Sequence, residues 1–174
     1  MRHKAIPILA ALLLVLFLSC TQRSREKEKE ELQTLVAIKG MANVIVTQVN
    51  ACLSLSRYYR TVHEYARVTG DDLKAAAREM SRPTASQNRI QMKQNKGMIE
   101  AGIEEIKPPS ERFRQAHSKL LELFDLYVML HGLTIDFPED IDTHEKAVNA
   151  LAIQIDKTQK ELDRSIAFLE REKE

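Results

Sequence analysis

The chain has 174 residues, with 26 Lys and Arg against 25 Asp and Glu and a formal charge of +1. That balance lacks the basic footprint of a nucleic-acid binder and argues against nucleic acid as the main partner. Five Gly, five Pro and no Trp accompany 29% charged residues, and the abundant Ala, Leu, Glu, Lys, Arg and Gln favour helix throughout.

Arg2, His3 and Lys4 open the chain, followed by an unbroken apolar run from Ala5 to Leu18, the small residue Ser19, and Cys20. A membrane-spanning helix needs ~20 apolar residues at ~1.5 Å each. This run is shorter and carries a basic flank, which is the form of an export signal. Its last four residues, Phe17-Leu18-Ser19-Cys20, resemble the lipobox of bacterial lipoproteins. The resemblance implies removal of residues 1–19, acylation of Cys20, and residence in the cell envelope with membrane lipid as a partner. Thr21 follows the cysteine where inner-membrane retention uses Asp, which implies the outer membrane, facing the periplasm, in a two-membrane host. Two or three acyl chains at ~0.8 kcal/mol per buried methylene make a firm tether. Cleavage removes Arg2 and Lys4 and no acid, leaving 24 bases against 25 acids. With Cys20 acylated, Cys52 has no partner for a disulfide, so stability must come from packing.

Residues 20–31 form the lipidated, charged tether. Within it, residues 21–31 have no apolar side chain, so they read as a solvated spacer or as a helix start that projects beyond its neighbours. The helical domain is expected over 32–172. Ile38, Met41, Ile45, Val49, Cys52, Leu55, Tyr59, Val62 and Ala66 advance by three or four, averaging 3.5, the spacing of a seam between near-parallel helices. The first helix is expected over 26–69, with Gly70 as its left-handed stop.

Asp71 and Asp72 offer an N-cap for a second helix starting at Leu73, and Pro83 interrupts it. Helix resumes near Ala85 and runs to Ile106 with Met92, Ile99, Ile103 and Ile106 on one face. Its middle, 86–96, is the least hydrophobic part of the domain and the place expected to pack most loosely. Pro108-Pro109 ends it and Ser110-Glu111 opens the next helix. That helix carries Phe113, His117, Leu120, Phe124, Tyr127 and His131 on one stripe, with Gly132 as its expected stop. The linker from Thr134 to Pro138 leads to a last helix with Ile141, His144, Val148, Leu151, Ile155, Thr158, Leu162, Ile166 and Leu169 at near-heptad steps. The fold class is all-α, and four helices with short joins are expected to form an antiparallel four-helix bundle.

Chemistry-bearing motifs are scarce. No Glu stands three residues before a downstream His, so the di-iron bundle motif is absent. His-Glu-x-x-His and Cys-x-x-Cys-His are absent too, and no Gly-x-Ser-x-Gly elbow frames a serine. No cofactor, metal ligand or catalytic residue is expected. His117 and His144 fall on the core stripes of two helices, where they can approach each other. Partly buried histidines bonded to backbone, a carboxylate or water are expected there; the alternative is a small-ligand or metal binder with a site inside the bundle. Arg57, Tyr58, Tyr59 and Arg60 hold a mixture common at binding hot spots, although Tyr59 lies on the core stripe. The remaining surface feature is the basic stretch 74–96; its Arg78, Arg82, Arg89, Lys93 and Lys96 are the candidate partner contacts. The leading expectation is a non-enzymatic, membrane-anchored module that binds another envelope protein or polymer.

Overall fold

The computed structural model describes the backbone over residues 5–80 and 83–171, and side chains over 24–80 and 89–171. The protein is all-α, with helices α1 (Ala5–Thr69), α2 (Leu73–Met80), α3 (Pro83–Glu104), α4 (Glu111–Ile135) and α5 (Ile141–Arg171). No strand occurs among the described residues.

Helix α1 begins well before residue 26. No glycine interrupts the chain before Gly40, and the Glu/Lys-rich tether is made of good helix formers. Of the two forms expected for the tether, helix is the one found. It ends at Gly70, whose φ of +75° is the left-handed conformation that closes a helix, with the Gly70 N–H donating to the Ala66 carbonyl at 2.9 Å. Asp72 then caps α2, accepting from the Lys74 N–H at 3.3 Å. Proline at the first position of α3 loses no helical hydrogen bond, so α3 starts at Pro83 instead of Ala85. It stops at Glu104, where the Ile106 N–H turns back tightly to the Ile103 carbonyl before Pro108. Ser110 opens α4 as expected, but its hydroxyl makes no cap bond. Asp140 caps α5 fully: Oδ1 accepts from the Asp142 and Thr143 N–H groups at 3.0 and 3.2 Å.

Gly132 does not stop α4. Gly70 is the one described glycine with positive φ, and α4 continues to Ile135. The Tyr59 hydroxyl bonds the Thr134 carbonyl in that last turn, where Thr134 is fully buried and Leu133 is partly exposed.

Every other helix packs on α1; α4 and α5 pack on each other, and α3 packs on α4. Helix directions follow from the side-chain pairs. Glu31 pairs with Arg112 near the starts of the α1 body and α4, and Tyr59 reaches Thr134 near their ends, so these two run parallel. Lys39 pairs with Glu170, and Arg60 with Glu145, so α5 runs against α1. Met41 covers Gly102, a close approach that leaves no room for a Cβ without moving the methionine; α3 therefore crosses α1 at its lower part.

The near-heptad stripes become the core. Ile38, Ile45, Tyr59, Leu120, Tyr127 and Leu162 are fully buried, each contributing roughly 1.5–3 kcal/mol by leaving water. Met41, His117 and Ile141 from the expected stripes are only half-buried. Helix α2 buries Ala76 alone, and the described part of α3 buries Met92, Ile99 and Ile103, so α2 and α3 form the thinnest layer. An 18-residue window of α1 is apolar enough to cross a membrane by length and composition. Its stretch between Lys39 and Arg57 nevertheless exposes Asn43, Thr47, Asn50 and Ser54 on the face opposite the buried stripe, the pattern of a core helix.

Leu120→Ala should lower the unfolding free energy by about 2–5 kcal/mol, whereas Leu121→Ala, one residue on and exposed, should change it by less than about 0.5 kcal/mol. Urea denaturation of both variants checks the register of α4.

Candidate functional site

The end of the molecule where α1 and α4 finish and α5 begins concentrates its buried polar groups. The Tyr59 hydroxyl donates to the Thr134 carbonyl at 2.9 Å, and Thr134 Oγ1 donates to the Leu130 carbonyl at 2.9 Å. Ser56 Oγ and His144 Nε2 are hydrogen-bonded at 3.0 Å, with the donor set by the ring tautomer. The His63 ring N–H donates to the Pro138 carbonyl at 2.9 Å and its ring stacks on Phe137 at 5.3 Å. Tyr59 meets the Phe137 ring edge-on at 4.9 Å and the His144 ring at 6.0 Å. These contacts fasten the α4–α5 linker to α1. Burial pushes the Tyr59 phenol up to about 12. Burial also holds the His144 imidazole below its ordinary 6.5, against the opposing pull of Glu145 and with the help of His63.

Beside this cluster, on the α3 side, the core is polar without being satisfied. Tyr127 Oη and His131 Nε2 are buried and have no hydrogen-bond partner; the two rings meet edge-on at 5.9 Å. Burial raises the Tyr127 phenol to about 12 and raises the Cys52 thiol. Burial lowers the His131 imidazole, and the Lys96 and Lys93 charges lower it further. Arg89 sits close enough to Tyr59 to oppose the rise of its phenol. The α3 cations therefore lie within electrostatic reach of the polar half of the core.

The basic candidates divide accordingly. Arg89 and Lys96 are half-buried and Lys93 is exposed on α3; Arg78 is exposed on α2. Arg82 and the Cys20 side chain, with the rest of the Phe17-Leu18-Ser19-Cys20 motif, lie outside the described residues. Tyr59 belongs to the core, while Arg57 and Arg60 are exposed. Arg60 pairs with Glu64 at 2.9 Å and Glu145 at 3.5 Å beside a cleft of about 440 Å³ that His63, Arg67 and Asp142 also line.

His117 and His144 do not meet. Lys119, one half-turn beyond His117, bonds Glu161 of α5, which lies about 25 Å along α5 from His144 at ~1.5 Å per residue. Among the described residues no group of three or more His, Cys, Asp or Glu is placed to hold a metal. Ser56 and His144 contain the atoms of a nucleophile and a base, but both are buried, and the neighbouring Glu145 carboxylate is turned to Arg60. Cys52 is fully buried and free, the setting of an inert thiol.

Sequence reasoning missed Thr134, which was assigned to the linker. It stands four residues after Leu130 and three after His131, so the α4 period itself runs past Gly132 and marks it. No protein-family model, curated protein or solved structure matches the chain.

The folded values of His131 and His144 lie below 6.5, so the unfolded chain binds more protons below that pH. Stability should be level above about pH 7 and fall as pH drops below 6.5 toward the folded values. Denaturant midpoints between pH 8 and 5 check this; a His131→Gln/His144→Gln variant should lose most of the slope.

Proposed function

We propose that this chain is a lipid-anchored component of the bacterial cell envelope, a non-enzymatic module that holds another envelope protein or polymer at a set height above its membrane. Acyl chains on Cys20 fix its location, and the helical body supplies rigid surface. In this reading α2 and α3 act as one column broken at Pro83. With α1, α4 and α5 they make an antiparallel four-helix bundle, and the α3 cations are its contact face. In a two-membrane host the anchor lies in the outer membrane, facing the periplasm.

The observation that carries the set height is the continuity of α1 from residue 20 to Thr69, and the Phe17-Leu18-Ser19-Cys20 resemblance supports the anchor itself. A helix cannot bend freely, so an anchor at residue 20 is mechanically coupled to the core. At ~1.5 Å per residue, Tyr59 and the polar end stand about 60 Å along the axis from Cys20. At the foot of the body, buried Glu31 pairs with Arg112, whose guanidinium lies 5.5 Å over the Phe113 ring. That clasp locks α4 to the emerging stalk. The stalk between Ser24 and Glu30 is exposed, as a segment between membrane and body must be.

Metabolic labelling with an alkynyl fatty acid should tag the wild-type chain in membranes. Cys20→Ser should abolish the tag and release the protein from that fraction. A wild-type chain that is untagged and soluble, or a variant that keeps its tag, contradicts the proposal.

A further inference from the structure

The lower stripe of α3 is regular, with Met92, Ile99, Ile103 and Ile106 buried at steps of seven, four and three. The same stripe passes through Lys96, between Ile99 and Met92, and one turn beyond Met92 through Arg89. A stripe that elsewhere packs apolar side chains therefore holds two cations, both half-buried. Lys93 lies between them at helical spacing. Like charges three and four residues apart on one helix face repel, and no acid occurs between Glu79 and Glu100 to relieve them. Exposed Glu100, four residues beyond Lys96, is the one acid on α3 within helical reach of the three, and Asp136, exposed at the C-cap of α4, acts on the neighbouring Tyr59. Across the seam, α4 presents His131, buried with an unpartnered Nε2, and Tyr127, fully buried with an unpartnered hydroxyl.

Buried polar groups without partners and cations at core positions each cost stability. An acceptor-rich anion is the one remedy that answers the cations and the unpartnered donors together. We infer that the α3–α4 seam, lined by Arg89, Lys93, Lys96 and His131, is a binding site for a phosphate-class oxyanion group. Three cations favour a multiply charged tetrahedral anion over a single carboxylate. Arg89 presents a planar fork, the lysines present point charges, and the neutral imidazole presents one N–H to a remaining oxygen. Burial first, and the Lys96 and Lys93 charges after it, lower the His131 imidazole, and those two charges are the ones the anion would neutralise. The inference deepens the reading of α3 as the contact face and is independent of the anchor at Cys20.

The test uses the full chain in neutral detergent, titrated with sodium tripolyphosphate while the histidine ring signals are followed by NMR. The His131 signals should move and those of His117 should stay. Lys93→Gln/Lys96→Gln should weaken binding by about tenfold or more, as loss of two charge-assisted bonds requires. Lys157→Gln/Lys160→Gln on α5, which does not pack on α3, should bind as the parent does. A response to tripolyphosphate places the phosphate on a soluble or polymer-borne ligand. A response confined to phosphatidylglycerol vesicles assigns it to a lipid headgroup. His131 signals unmoved by both, or equal weakening in the two lysine pairs, would overturn the site. Cys20→Ser should give the same titration, so failure of the anchor and failure of the site are separable.

Discussion

Helix α1 carries a stripe from Leu35 to Ala66 that every other helix covers some part of. The apolar surface that α2 and α3 bury is too small to hold them without it, and α4 and α5 close over its opposite flank. Because the hydrophobic contribution scales with area removed from water, one helix that contacts all the others carries a disproportionate share of the stability. The same helix continues beyond the core as the exposed stalk, so the axis that organises packing also sets the orientation of the body relative to residue 20.

The core changes character along that axis. Its lower part is aliphatic, built from Leu35, Ile38, Ile103, Leu162 and Leu169. Its upper part mixes Tyr59, Tyr127, His131, Thr134 and His144 with hydrogen bonds that tie the end of α4 and the start of α5 back to α1. A polar interior buys specificity of register only where its groups are satisfied. The Tyr59–Thr134 and Ser56–His144 pairs meet that condition, whereas Tyr127 and His131 do not. Of that pair, His131 lies within electrostatic reach of the part of α3 where lysine and arginine replace aliphatic residues. Ser110 Oγ and His117 Nε2 are also buried without partners, but only at this seam do unsatisfied groups coincide with cations on an apolar stripe, the kind of local conflict expected at a functional compromise.

Much of this was legible from periodicity. The stripes on α1, α4 and α5 named almost all of the apolar core, because steps of three and four leave little freedom about which face is inward. Gly70 and the Asp71-Asp72 pair marked the first break correctly because a left-handed stop and an acceptor side chain act locally. Gly132 misled for the complementary reason: a glycine ends a helix only when nothing beyond it packs, and Thr134 does. The helical tether was half legible, since charged residues suit both solvated coil and solvated helix. The nearness of the α3 cations to His131 was invisible in sequence, because it depends on α3 lying against α4. The separation of His117 from His144 likewise required the α4–α5 register, which the Lys119–Glu161 and Glu122–Thr158 bonds define.

Rigidity of α1 is the claim on which orientation, height and the exposed contact face all depend. Spin labels at exposed Arg25 in the stalk and exposed Thr61 near the far end, with their separation measured by pulsed electron paramagnetic resonance, test it most directly. An unbroken helix predicts one narrow distribution near about 54 Å, from ~1.5 Å per residue. A broad distribution centred well below that distance would mean that the stalk bends freely at the foot of the body, contradicting the account.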